Sequence, residues 1–292
     1  MSVWLPTAPC TPQGCGTHAG PAVGVTAAAA RLLTGISLLV TGVLLAPLLS
    51  PLGAALRDRL TRRWARALLR AFGLRIRFAG APFARRGGPM LVVANHISWL
   101  DIPLIAAVFP GRMLAKSEIR SWPVLGRVAA GGGTLFVERE RLRALPGTVR
   151  TLATALSEGS RVIVFPEGCT WCGREQGRFT SAVFQAALDA AADVRPVRIT
   201  YRTPSGARSS APAFVGDDTL LASLWRVAKA GGLTAEIAVL PPIPAGSHTD
   251  RRSLALDAQT AVASDSANRP ASSVHQWVKA IPASASSALT PS

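Results

Sequence analysis

Lysine is almost missing from this chain: 3 lysines stand beside 29 arginines, and only 16 acidic residues oppose them. The resulting formal net charge of +16 over 292 residues excludes a basic partner and points to an anionic one, either nucleic acid or an anionic membrane. Charge alone does not choose between them, because arginine in place of lysine, beside so much alanine, is also a mark of genomic base composition. No Lys or Arg precedes Arg31 and no small-residue cleavage site leads into a secreted-looking domain, which argues against a signal peptide. There is also no G-x-S-x-G, so no nucleophile elbow.

Present instead is a run of 25 residues without a charge, Leu32 to Leu56, long enough as a helix to cross about 30 Å of hydrocarbon. Arg57, Arg59, Arg62, Arg63, Arg66 and Arg70 follow it against Asp58 alone, and by the positive-inside rule that flank is cytosolic. Pro47 and Pro51 interrupt a straight span. The alternative is a hairpin: an apolar helix from Gly24 to Ala46, a turn at Pro47 to Gly53, and an amphipathic helix from Ala54 to Phe72. In the second helix Leu60, Trp64, Leu68 and Phe72 share one face, as in a helix lying among headgroups or one packed on its own domain. The prolines favour the hairpin.

Beyond Phe72 the pattern alternates. Strands are expected at Leu74 to Phe78, Met90 to Ala94, Arg112 to Leu114, Thr134 to Val137, Arg161 to Phe165, Val194 to Tyr201 and Ala235 to Leu240. Helices are expected at Ile102 to Val108, Pro123 to Ala130, Pro146 to Ser157, Ser181 to Ala192 and Leu220 to Ala230. This is an α/β chain, a mixed β-sheet sandwiched by helices with an N-terminal membrane-seated helical segment. Its expected parts are an irregular N-terminus (1–23), the membrane-associated segment (24–72), the α/β domain (73–246), and a surface helix with a disordered tail (247–292).

Asn95-His96-Ile97-Ser98-Trp99-Leu100-Asp101 follows the buried-looking strand Met90 to Ala94, and Ser98 to Asp101 has capping-box spacing. His96 thus stands just before a helix, with Asp101 in the first turn and Ser98 at the cap. The carboxylate can take a hydrogen bond from one imidazole nitrogen and leave the other as a base toward a substrate hydroxyl. A purely capping Asp101 is the competing reading.

Three further blocks follow: Gly133-Thr134-Leu135-Phe136-Val137-Glu138-Arg139, Val164-Phe165-Pro166-Glu167-Gly168, and Arg195-Pro196-Val197. In the order N-H-x-S-x-x-D, G-x-x-F-x-x-R, F-P-E-G and x-P-V, the chain resembles the 1-acylglycerol-3-phosphate acyltransferases from about Phe72 to Pro244. The resemblance implies transfer of an acyl group from acyl-CoA or acyl-carrier protein to the free hydroxyl of a lysophospholipid, at a cytosol-facing inner or plasma membrane. It casts His96 as general base and Asp101 as its orienting partner. Arg139 becomes the phosphate-binding arginine, with Gly133 and Phe136 completing its block. Glu167 and Gly168 hold the glycerol end of the acceptor, and Pro196 belongs to an apolar wall. Lys116, after the third strand, is a second phosphate contact. Cys169 stands where the family commonly has Thr or Ser, with Thr170 one position on.

Ser98 is assigned to a cap, so direct transfer without an acyl-enzyme is expected. No cofactor is expected. Cys169-Thr170-Trp171-Cys172 is a C-x-x-C, a redox pair or half a zinc site in isolation. Cys10 and Cys15 would complete four ligands, but their spacing is loose and they lie across the membrane if the apolar segment spans. No metal is expected, and reduced thiols are the default. His18, His248 and His275 have no partners at ligand spacing and read as surface residues. Three other readings stand beside lysophosphatidic acid acylation: another lyso-lipid acceptor such as lyso-ornithine lipid, a basic nucleic-acid-binding protein, and a membrane scaffold without catalysis. A nucleic-acid role explains the charge but neither the apolar run nor the four blocks.

Overall fold

The computed structural model describes residues 7–49, 51–80, 89–121, 126, 131–138 and 141–264. Seven strands form one mixed sheet: β1 (Arg75–Gly80), β2 (Met90–Ala94), β3 (Arg112–Lys116), β4 (Leu135–Val137), β5 (Arg161–Val164), β6 (Asp193–Arg202) and β7 (Thr234–Val239). Their order is β1-β7-β6-β2-β5-β3-β4. From β6 to β4 the strands run parallel, while β7 is antiparallel to β6 and carries β1 parallel to itself. Five carboxyl ends therefore open on one side, where α/β sheets gather their ligands.

The helices are α1 (Pro12–Cys15), α2 (Val25–Leu45), α3 (Ala54–Ala71), α4 (Asp101–Ala106), α5 (Leu145–Ser157), α6 (Ala182–Asp189), α7 (Leu220–Lys229) and α8 (Arg251–Ala263). Strand alternation sorts them into two layers. Met90, Val92 and Ala94 of β2 face a core shared with α3, α4 and α7, whereas Leu91 and Val93 face one shared with α5, α6 and α8. Every expected strand is found, with ends shifted by a residue or two. The helix expected at Pro123 to Ala130 falls almost wholly outside the described residues, as do His275 and the tail beyond Ser264.

The N-terminal third is a hairpin. α2 runs out, a 3-10 turn at Ala46–Leu49 reverses the chain, and α3 returns against it. Glycine permits the close approach: a Cβ at Gly35 would meet the Phe72 ring at 2.5 Å, and one at Gly42 would meet the Trp64 indole at 2.4 Å. Trp64 Nε1 then donates to the Leu38 carbonyl at 2.9 Å. The stripe from Leu60 to Phe72 accordingly packs inward, with Leu68 and Phe72 buried, rather than lying among headgroups.

Two of the flanking arginines are also spoken for within the fold. Arg62 and Arg66 donate to the Val108 and Ala107 carbonyls beyond the end of α4, at 3.2 and 3.1 Å. Arg57, Arg59, Arg63 and Arg70 are exposed. Exposed apolar side chains are concentrated on α2 and around the turn, at Leu33, Ile36, Val40, Leu44, Leu45, Leu48 and Leu56, with others scattered over the domain. Among the described residues one helical stretch, Val25–Leu49, is long and apolar enough to cross a membrane.

The residues before α2 fold back onto the domain, which overturns the single span that would place them across a membrane from it. Val23 N–H donates to the Lys229 carbonyl at 2.9 Å, and Gly231 N–H to the Pro21 carbonyl at 2.7 Å. His18, expected at the surface, bridges Ser209 Oγ at 3.0 Å and the Gly231 carbonyl at 3.2 Å. His248 likewise has a partner, Asp257, at 2.8 Å. The spacing of these histidines along the chain gave no hint of either contact, because both partners are brought in by the fold.

Candidate active site

β2 ends at Ala94, and the Asn95 side chain extends its pairing. Its amide Nδ2 donates to the Ile199 carbonyl at 3.0 Å while Oδ1 accepts from Ile199 N–H at 2.8 Å, imitating one more rung of the ladder to β6. His96 is thereby fixed one residue beyond the sheet's open end.

Asp101 opens α4 and is completely buried. Its Oδ2 accepts from His96 Nδ1 at 2.9 Å and from the backbone N–H groups of Ile97 and Ser98 at 2.6 and 2.8 Å. Its Oδ1 accepts from Tyr201 Oη at 2.7 Å. Hydrogen bonds to a charged group contribute about 1.5–3 kcal/mol each, so four of them offset the desolvation of this carboxylate. One side chain thus performs both competing roles, reaching back to the Ser98 N–H as in a capping box and orienting the histidine. The cap itself is displaced from the expected position. Leu100 precedes the first helical residue, and the buried Ser98 hydroxyl accepts from Leu100 N–H at 3.3 Å.

An ionised carboxylate only accepts, so Nδ1 of His96 carries the proton and Nε2 is left with its lone pair. Among the described residues Nε2 has no hydrogen-bond partner, and the side chain keeps 20% exposure. The ring stacks on Phe165 with centroids 4.0 Å apart and an interplanar angle of 15°. The histidine backbone is held as well: its N–H donates to Glu167 Oε2 at 3.0 Å and its carbonyl accepts from Trp171 N–H at 2.8 Å.

Glu167 corrects the sequence reading. Expected to hold the acceptor, it is instead buried behind His96, where burial pushes its carboxyl up to about 8 against the opposing effect of the His96 and Gly177 N–H groups. Pro166 and Gly168 explain its placement: Gly168 has φ +76° and turns back to donate to the Phe165 carbonyl at 3.1 Å, tucking the residue between them under the sheet end. Thr170 does not supply a displaced hydroxyl to the site, since it donates to the Phe214 carbonyl.

Pro196 is buried in β6 opposite Val93, three residues below His96, and forms sheet rather than lining its open end. Gly133 precedes β4 and therefore lies at the amino end, with φ +68° and its carbonyl accepting from Arg112 Nε at 2.8 Å. It is a turn residue remote from the base. Phe136 is half-buried in β4, with the Arg120 guanidinium 5.8 Å from its ring centroid. Lys116 is exposed at the carboxyl end of β3, on the same side of the sheet as His96. Arg139 lies outside the described residues, two positions beyond Val137, where β4 ends on that same side.

Asn95 Oδ1 and Nδ2, Phe165, Trp171 N–H and Tyr201 are the parts that motif reading missed. Tyr201 had a signal. It is the single tyrosine of the chain, and alternation along β6 puts it on the face of Val197 and Ile199. Metal ligands are not found around His96. A separate group of three cysteines, Cys10, Cys15 and Cys172, has its sulfurs within 4.8 Å of one another.

A buried aspartate holding four hydrogen bonds stands behind a partly exposed imidazole at the open end of the parallel strands. Residues 75–200 match the Acyltransferase family model. Lyso-ornithine lipid O-acyltransferase of Pseudomonas aeruginosa is 40% identical over 207 residues, covering 71% of this chain and 78% of that one. The 1-acyl-sn-glycerol-3-phosphate acyltransferase of Neisseria meningitidis is 35% identical over 198 residues, covering 68% and 77%. The crystal structure of PlsC from Thermotoga maritima superposes with a TM-score of 0.65 at 18% identity, covering 88% of this chain and 96% of that one. The chain belongs to the PlsC-type acyltransferase family, and it is an acyltransferase of lipid biosynthesis.

Proposed function

We propose that this protein transfers a fatty acyl group from acyl-CoA or acyl-carrier protein to the free hydroxyl of a lyso-lipid in one direct step. The observation that carries the reading is the His96 Nδ1 to Asp101 Oδ2 bond, which leaves Nε2 as the base. The acceptor hydroxyl gives its proton to Nε2 as its oxygen attacks the thioester carbonyl. The tetrahedral species then collapses, the carbon–sulfur bond breaks, and the imidazolium returns the proton to the departing thiol. Asp101 stabilises the imidazolium while it exists. Ser98 is buried and serves Leu100 N–H, which supports transfer without an acyl-enzyme.

The acceptor is lyso-ornithine lipid. The relative of that name shares more identity with this chain than the lysophosphatidic acid enzyme does. Lysophosphatidic acid, giving phosphatidic acid, is the second reading, favoured by the block ending in Arg139, whose planar fork matches phosphate oxygens. The protein works at a membrane. Its α2–α3 hairpin supplies the apolar tip, and Arg57, Arg59, Arg63 and Arg70 meet an anionic cytosolic leaflet. Purified protein in detergent, assayed against both lyso-lipids with both donors, tests this. Preference for lysophosphatidic acid would reverse the order of acceptors, and no acyl transfer to either would end the proposal. High-salt washing should leave the protein on membranes and detergent should release it. Release by salt alone would return the charge to the nucleic-acid alternative.

A further inference from the structure

We propose that Cys10, Cys15, Cys169 and Cys172 bind a structural Zn²⁺ that fastens the segment before the hairpin to the loop behind His96. Three of the four cysteines in a 292-residue chain converge although Cys172 is more than 150 positions from the other two. None is in a disulfide, and Cys10 and Cys172 are buried. Sulfurs within 4.8 Å of one another need close only slightly to reach tetrahedral thiolate geometry, where zinc–sulfur bonds of about 2.3 Å set neighbouring sulfurs about 3.8 Å apart. The local backbone is shaped for the purpose. Gly173, at φ +80°, turns the chain so that the Arg174 and Glu175 N–H groups meet Cys172. Burial acts to raise the Cys172 pKa, but those two donors and the thiols of Cys10 and Cys15 bring it below the ordinary value. α1 performs the matching task on the other side: Thr11 Oγ1 accepts from Gly14 N–H at 3.2 Å, and Cys15 N–H donates to the Thr11 carbonyl at 2.9 Å, bending Cys15 back toward Cys10.

Cys169 stands three positions before Cys172, the C-x2-C spacing that supplies two ligands to one zinc. Its sulfur stands outside the converged three, and we take it as the fourth thiolate. Cys10, Cys15, Cys169 and Cys172 each lose a proton to solvent as their sulfurs bond to the ion. Trp171 lies inside this C-x2-C and holds the His96 carbonyl, so the metal positions the catalytic base through one backbone bond.

Full-length protein purified in detergent from zinc-supplemented cells, without chelator, is measured by elemental analysis. About one zinc per chain is expected, released in step with titration of the thiols by a mercurial. Replacement by Co²⁺ should give the intense visible bands of a tetrahedral cobalt thiolate. Cys172→Ser and Cys10→Ser should lose the metal, and Cys169→Ser should alter the cobalt bands. The wild-type result stands even where a variant fails to fold. Less than about 0.1 transition metal per chain, a native disulfide among these cysteines by mass spectrometry, or zinc retained by Cys172→Ser would overturn the site.

Discussion

The two sides of the sheet's open end are built differently. Around β2, β5 and β6 the groups that hold His96 are buried and bonded: Asp101 takes four hydrogen bonds, Asn95 two, and both backbone polar groups of His96 are engaged. Toward β3 and β4, two and three strands from β2 or about 10 and 14 Å away, Lys116 is exposed and Phe136 is only half-buried. On the proposed mechanism, the base is organised before any substrate arrives, and the side of Lys116 is left to be completed by the acceptor. Rate should therefore reside in the first region and selectivity in the second.

His96→Ala is the strongest way to break this contrast. It should remove a contribution of roughly 10²–10⁴-fold or more with little change in the circular-dichroism melt, and Asp101→Asn should leave weak activity. Near-wild-type turnover in His96→Ala would end the general-base account. On the other side, Arg139→Ala should raise the acceptor KM far more than the donor KM. One charge-assisted bidentate contact is worth about 1.5–3 kcal/mol, or roughly 10- to 150-fold. Equal weakening of both substrates would mean that Arg139 supports structure.

Tyr201→Phe sharpens the division within the first region. Leaving Asp101 Oδ1 unpaired costs about 1–3 kcal/mol of stability, and kcat should fall by about one order of magnitude with KM unchanged. A positioning role further requires the acid limb of the kcat–pH profile to shift. A loss of stability with an unmoved profile would reduce Tyr201 to packing.

Glu167→Gln should have the smallest effect on turnover. Native Glu167 holds its proton to about pH 8 and releases it near 4.5 when unfolded, so between those values the native state binds more protons and stability falls as pH rises. The amide cannot ionise. Its melting temperature should exceed wild type by about 5 °C at pH 8.5 and by little at pH 5, and equal melting at both would place the ionised carboxylate in a compensated site.

Much of this was legible because strand periodicity and motif order are local signals. The run Met90 to Ala94, the break after it, and the five-residue spacing of His96 and Asp101 were enough to bring those two side chains together at the strand end. Glu167 and Pro196 were misplaced for a physical reason. A motif states which residues are required, not whether they touch substrate or hold the residue that does, and Glu167 bonds a backbone N–H 71 positions away. Gly133 was read with the acceptor block, yet it lies at the amino end of β4, away from the side of His96. The headgroup reading of the α3 stripe failed because an amphipathic face looks the same whether it is covered by lipid or by α2. The cysteines were discounted for their loose spacing and, should the apolar segment span, for lying across a membrane; the fold brings three of them together from distant positions.

The hairpin has a consequence for the lipid itself. Gly35, under Phe72, is the last buried residue of α2, and the ten residues from there to Leu45 rise only about 15 Å, half the thickness of a hydrocarbon core. As the anchor proposed above, a stretch of that length reaches one leaflet, and both of its ends return to the side of His96. In the proposed reaction each turnover would convert a single-chain amphiphile into a two-chain one in the leaflet that supplied it. Area would accumulate on that face alone, so a membrane grown in this way would depend on a separate process to carry product across.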